Sequence, residues 1–215
     1  MNAEARGARR PAAVSGIAVA LLFAVGSAIW GLDMPEDGTP VAEVVEFYRE
    51  TADRIVIGGS LSLPAIAGFV VFAAALRQVL IEAGGEEWLA TSAFGGALLG
   101  MVGGIGAETI NLAAALRAQD GELNEALAQS LFESSQVLGS VATGAGLGVF
   151  AVATAAVALR AHGVMPRPAA LLTLALGLLL LTPLSHINWL PGAAMVVIGL
   201  TIGVGLLRGQ RAGTR

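Results

Sequence analysis

Between Arg54 and Arg77 the chain runs for 22 residues without a charged side chain. An α-helix needs about 20 mainly apolar residues to cross the ~30 Å hydrocarbon core of a bilayer. Inside that core a helix is favoured because it satisfies its own backbone donors and acceptors. The pattern recurs along the chain. Apolar runs lie at about 13–31, 55–76, 88–116, 131–159, 169–184 and 189–207, with residues 1–12 and 208–215 left as tails. The fifth run is short. Pro183, Ser185, His186, Asn188 and Pro191 place a turn between it and the sixth, rather than one long helix. The expected fold is therefore all-α, an integral membrane bundle of six transmembrane helices.

Composition excludes the alternatives. Charged residues make up 13% of the chain and hydrophobic ones 55%, whereas soluble domains carry about 25% charged residues. So little charge cannot solvate the outside of a soluble enzyme, a basic nucleic-acid binder or a disordered chain. All 12 basic residues are Arg, and Ala and Gly are abundant, as in bacterial proteins from GC-rich genomes. The absence of Cys rules out disulfides, thiolate metal sites and cysteine nucleophiles. The 29 glycines suit a bilayer, where they let helices approach closely.

Arginine distribution sets the expected orientation. Arg6, Arg9, Arg10, Arg77, Arg160, Arg167, Arg208, Arg211 and Arg215 fall on one side of a six-span topology, and Arg49, Arg54 and Arg117 on the other. Both termini are then cytoplasmic, in a bacterial inner membrane. Trp30, Trp88 and Trp189 fall at predicted helix ends, where amphipathic rings sit at the headgroup level. The first run also has signal-peptide features, with Arg residues ahead of it and the small Gly26 and Ala28 near its end. Its continuation through Ile29 and Trp30 favours a retained span.

The largest loop, about Leu32–Asp53, is then extracytoplasmic. Thr39 as N-cap, Pro40 at the first helical position and Glu43 in the first turn signal a helix start. Val41, Val44, Val45, Tyr48 and Ala52 recur at helical spacing, with Glu43, Glu46, Glu50 and Asp53 on other faces. This predicts an amphipathic helix on the outer surface that runs into the second span. It would shield the tops of the spans, or act as a lid or docking helix.

Gly96, Gly100, Gly104 and Glu108 repeat at a spacing of four in the third span, beside a stripe of Gly103, Ala107 and Asn111. In the fourth span Glu133, Gln136, Ser140, Gly144 and Gly148 share one side. Such small faces pack closely, and each carries a carboxylate. Packing them together predicts an outward-facing polar pocket of Glu108, Asn111, Glu133 and Gln136, with His186 nearby. Carboxylates are costly within a membrane and mark functional candidates. Two close ones can share a proton, hold a cation or hold an amine. The bland alternative makes Glu133 interfacial and Glu108 bonded to its neighbours.

No other chemistry is indicated. His162 and His186 fall on opposite sides and form no metal set, and no H-E-x-x-H is present. There is no G-x-S-x-G elbow, P-loop or dinucleotide fingerprint. Glu86-Glu87 lacks the following Arg of prenyl-protein proteases, position 91 being Thr. No cofactor, metal or nucleic-acid partner is expected. The expected partners are the bilayer and other membrane subunits reached through the glycine-rich faces. Three functions remain open: binding of a small ligand or cation in the pocket, secondary transport with Glu108 as a protonatable site, and, disfavoured by the missing motifs, membrane enzymology.

Thr39–Glu50 (TPVAEVVEFYRE), Asp53–Gly59 (DRIVIGG) and Gly163–Pro168 (GVMPRP), together with the order of spans, give the chain a likeness to known sequences. It resembles a family of bacterial multi-spanning membrane proteins classed as a domain of unknown function. In similar proteins an aromatic residue follows the Pro-Arg, where this chain has Pro168. The resemblance implies a fold and a location, and no catalytic residue.

Overall fold

A computed structural model describes residues 3–36, 38–161, 164–187 and 190–212, with side chains from 8 to 208 in those ranges other than Ser62 and Leu63. Asp37, His162, Asn188 and Trp189 lie outside the described residues. The described residues are helical, without a strand. The helices are α1 (Ala3–Trp30), α2 (Val41–Glu82), α3 (Glu87–Gln119), α4 (Glu125–Val137), α5 (Thr143–Arg160), α6 (Arg167–Leu180) and α7 (Leu190–Ala212). A π-helical turn, Leu138–Ala142, joins α4 to α5, and short 3-10 turns occupy Gly31–Asp33 and Pro183–His186.

Five segments are long and apolar enough to cross a membrane: Ala8–Asp33, Val41–Glu82, Glu87–Gln119, Glu125–Arg160 and Leu190–Arg208. They point to a membrane-embedded protein. The fifth apolar run is shorter in the structure than in the sequence reading. It ends as a helix at Leu180, and Pro183 opens a separate 3-10 turn whose N-cap Thr182 accepts from the Leu184 N–H.

Helix α2 absorbs the amphipathic segment. Its 42 residues reach about 63 Å, roughly twice the thickness of a hydrocarbon core. Pro64 lies inside it without ending it, although the missing N–H removes one rung of the helix. The start differs from expectation: Pro40, not Thr39, is the N-cap, and no side chain caps the end. The Pro40 carbonyl accepts from Glu43 and Val44 instead. The predicted apolar stripe holds, with Val44, Val45, Tyr48 and Ala52 buried. It packs against protein, together with Phe47 and Ile55, in a cluster with Ala114, Ala115, Leu123, Ala128 and Phe132 of α3, α4 and the turn between them.

The turns after α2 and α3 share one mechanism. Gly84 (φ 87°) and Gly121 (φ 71°) take the left-handed conformation that lets a helix end tightly. The N–H of Gly85 then reaches back to the Leu80 carbonyl, and that of Glu122 to Arg117. Ion pairs gather at these turns, Arg77–Glu87 at 3.2 Å, Arg160–Glu86 at 3.4 Å and Arg117–Glu122, while Arg54–Asp33 at 2.7 Å joins α2 to the turn after α1. All are substantially exposed and contribute little stability. Trp88 is exposed at the α3 start, its indole N–H donating to Glu86. Trp30 is the last residue of α1 and is buried, and a Cβ added at Gly58 would stand 2.6 Å from its ring.

Close glycine contacts set the helix arrangement. A Cβ at Gly146 would lie 2.1 Å from Gly100 N, one at Gly96 2.6 Å from Phe150 N, and one at Gly103 2.6 Å from Thr143 N. Thus α3 meets α5 backbone to backbone. The α3 contact uses Gly96 and Gly100 of the expected stripe and then Gly103 in place of Gly104, and its partner is Gly146 rather than Gly144 and Gly148. Those two face the other way, toward Ser185, and toward Gly177 and Leu181. Ordinary helical phase accounts for this: Gly139, Thr143, Gly146 and Phe150 follow one another at spacings of four, three and four and share the side that meets α3, on which Gly144 and Gly148 do not fall. The main core includes Phe69, Phe72 and Phe150, with ring centroids 5.8–6.4 Å apart.

Candidate functional site: a cavity at Glu108

A cavity of about 190 Å³ opens where the main core meets the cluster around Tyr48. Its walls come from α1, α2, α3, the α4–α5 rod and α7. Most of the lining is apolar. The polar exceptions are Glu108 and Asn111 of α3, Ser135 and Gln136 of α4, and Thr143, the first residue after the π turn.

The sequence periodicity brings Glu108 and Asn111 here. They end the two small-residue stripes of α3, and Gly104 and Gly100 line the cavity about one and two turns before Glu108. Glu108 is half-buried, and a Cβ at Gly59 would stand 3.6 Å from its Oε1. The Gly58–Gly59 pair of α2 therefore leaves room beside the carboxylate. Asn111 is buried, and its Oδ1 accepts a 2.7 Å hydrogen bond from the Tyr48 hydroxyl.

On α4 the buried face is Ala128, Phe132, Ser135 and Gln136, a spacing of four and three that marks one helix side. Ser135 donates to the Phe132 carbonyl and Ser140 to the Gln136 carbonyl. Gln136 is 8% exposed, and among the described residues its Nε2 has no hydrogen-bond partner. Thr143 is 9% exposed, and its Oγ1 is likewise unpartnered. Buried polar groups are normally satisfied; Gln129 Oε1 and Thr154 Oγ1, away from the cavity, lack partners among the described residues as well.

Of the expected site residues, the cavity gathers Glu108, Asn111 and Gln136. Glu133 and His186 do not line it. Glu133 follows Phe132 by about 100° around the helix, is exposed, and accepts from the Gln129 amide. His186 is exposed at the end of its 3-10 turn. The two-carboxylate arrangement is thus replaced by one carboxylate among amides and hydroxyls. Among the described residues no group of three or more His, Cys, Asp or Glu is placed to hold a metal ion.

Sequence reasoning missed Tyr48, Ser135 and Thr143 as members of this group. Tyr48 had a signal: a phenol on a predicted buried stripe needs a partner for its hydroxyl. Thr143 had one as well: it follows Gln136 by seven residues, two turns along the same helix side. Comparison of the chain with family models, curated proteins and solved structures finds no match.

Proposed function

We propose that the chain is a six-span integral membrane protein that binds a small ligand in the cavity at Glu108. In this reading α6 and its 3-10 turn form the fifth span, both termini are cytoplasmic, and the N-terminal part of α2 lies outside. The cavity then opens to the extracytoplasmic half, because Glu108 stands about 16 Å along the axis from the end of α3 and Gln136 about 16 Å from the start of α4.

One observation carries the reading. Among the described residues Gln136 Nε2 and Thr143 Oγ1 are buried without partners, and both residues line the cavity with Glu108 and Asn111. Leaving a buried polar group unsatisfied costs about 1–3 kcal/mol. A purely structural bundle gains nothing from such groups, whereas a binding site keeps them for its ligand. Binding is favoured over transport because the lining deeper along α3 and α5, at Gly100, Met101 and Leu147, offers no polar side chain.

Gln136→Leu and Thr143→Val test this in the ligand-free protein. Each is expected to raise thermal stability, by about 1–3 kcal/mol, because an orphan group is removed at similar volume. A loss of stability in both would show that the two groups serve the fold, and would overturn the binding reading.

A further inference from the structure

Three helix ends meet at one end of the bundle. A Cβ at Gly203 of α7 would lie 3.0 Å from the Ala13 carbonyl oxygen of α1, and one at Gly205 would lie 3.0 Å from Met165, just ahead of α6. Arg10 precedes Ala13 by three residues, Arg208 follows Gly205 by three, and Arg167 follows Met165 by two. The start of α1, the start of α6 and the end of α7 therefore bring these arginines to the same membrane face. All three are exposed.

Their charge is not neutralised within the chain. Arg77 of α2 and Arg160 of α5, at the same end of the bundle, pair with Glu87 and Glu86. Among the described residues Arg10, Arg167 and Arg208 have no ion-pair partner. Helix α6 adds to the positive field. It has no capping side chain and no acid in its first turn, so the positive end of its dipole is uncompensated. Guanidinium groups beside a free helix start suit a phosphate.

What lies one turn into the membrane identifies the molecule that carries it. Val14 follows Arg10 by four residues, Leu171 follows Arg167 by four, and Val204 precedes Arg208 by four, so each pair shares a face of its helix. All three apolar side chains are exposed, and the faces stay apolar deeper, at Leu21 of α1, Leu178 of α6 and Val197 of α7. A soluble anion would use the arginines alone, whereas a lipid uses the charge and the apolar rails beneath it. We propose that this face binds an anionic phospholipid, its headgroup held by Arg10, Arg167 and Arg208 and its acyl chains lying along Val14, Leu171 and Val204. The site is separate from the cavity at Glu108 and does not rest on the reading of that cavity. In the orientation proposed above it meets the cytoplasmic leaflet, the anionic one in cells.

The test titrates phosphatidylglycerol and phosphatidylcholine into the full chain in detergent micelles and counts bound lipid by native mass spectrometry. Phosphatidylglycerol is expected to bind about tenfold or more tightly than phosphatidylcholine. Each of Arg10→Gln, Arg167→Gln and Arg208→Gln is expected to weaken it about fivefold, the scale of one arginine at an anionic lipid surface. The triple substitution is expected to abolish the preference. Arg77→Gln, at a paired arginine of the same face, is expected to leave it unchanged, and excess glycerol 3-phosphate is expected not to displace the lipid. Equal binding of the two lipids by the wild-type chain, a preference that survives the triple substitution, or an equal loss in Arg77→Gln would overturn the proposal. Displacement by glycerol 3-phosphate would overturn it too, because a soluble phosphate would then be the occupant. None of these outcomes bears on the cavity at Glu108.

Discussion

The Tyr48 hydroxyl donates to Asn111 Oδ1 at 2.7 Å, which ties the first turns of α2 to the stretch of α3 that carries Glu108. Both side chains are buried, Tyr48 completely. The bond orients the amide that lines the cavity, so it couples the segment ahead of the second apolar run to the site.

Tyr48→Phe therefore leaves a buried carbonyl oxygen unpaired and is expected to cost about 1–3 kcal/mol. Asn111→Leu alone removes the acceptor and strands the phenol. The double substitution is expected to cost less than the sum of the singles, with a coupling of about 1 kcal/mol in thermal or denaturant unfolding in micelles. Additive single effects would show that the bond contributes nothing.

The bundle was legible where the physics is local. The Arg54–Arg77 run, the α3 glycine stripe and the Val44, Val45, Tyr48, Ala52 face all follow from length and periodicity, and all appear in the structure. What could not be read is set by packing. Gly144 and Gly148 form a small-residue side of their own, and only the docking of the helices selects Gly146 to meet α3 while those two face Ser185, Gly177 and Leu181. Glu133 and Gln136 sit three apart, and only contact with α3 and α2 determines that one is inside and the other outside.

The α3–α5 contact makes a sharp contrast between two glycines. A Cβ at Gly146 would lie 2.1 Å from backbone nitrogen, whereas one at Gly95 meets nothing within 4 Å. Gly146→Ala must separate the two helices and is expected to cost at least about 3 kcal/mol, in the range of severe overpacking. Gly95→Ala should be neutral or stabilise by up to about 1 kcal/mol through helix propensity. Melting temperatures of the two variants in the same detergent check this, and equal values would contradict the observed contact.

Orientation can be read from the two ends of α2, because the chain has no Cys of its own. Glu43 and Glu82 are both exposed and lie about 58 Å apart along the helix. In intact cells an impermeant maleimide is expected to modify the Glu43→Cys variant and to spare Glu82→Cys until the membrane is opened. The reverse pattern would invert the topology, and modification of both in intact cells would show that α2 does not span.

The central claim is that the cavity beside Glu108 is a reachable site with a negative field. Gly104 lines it, and a Cβ there would come no closer than 3.8 Å, to Thr143 Oγ1, so position 104 has room for the Cβ of a single Gly104→Cys substitution. The most direct measurement is the rate at which methanethiosulfonate reagents applied from outside modify this variant. The account predicts modification, several-fold faster by the trimethylammonium reagent than by the sulfonate, with the difference lost when Glu108→Gln is added. No modification of the folded protein by either reagent, or equal rates for both, would contradict it.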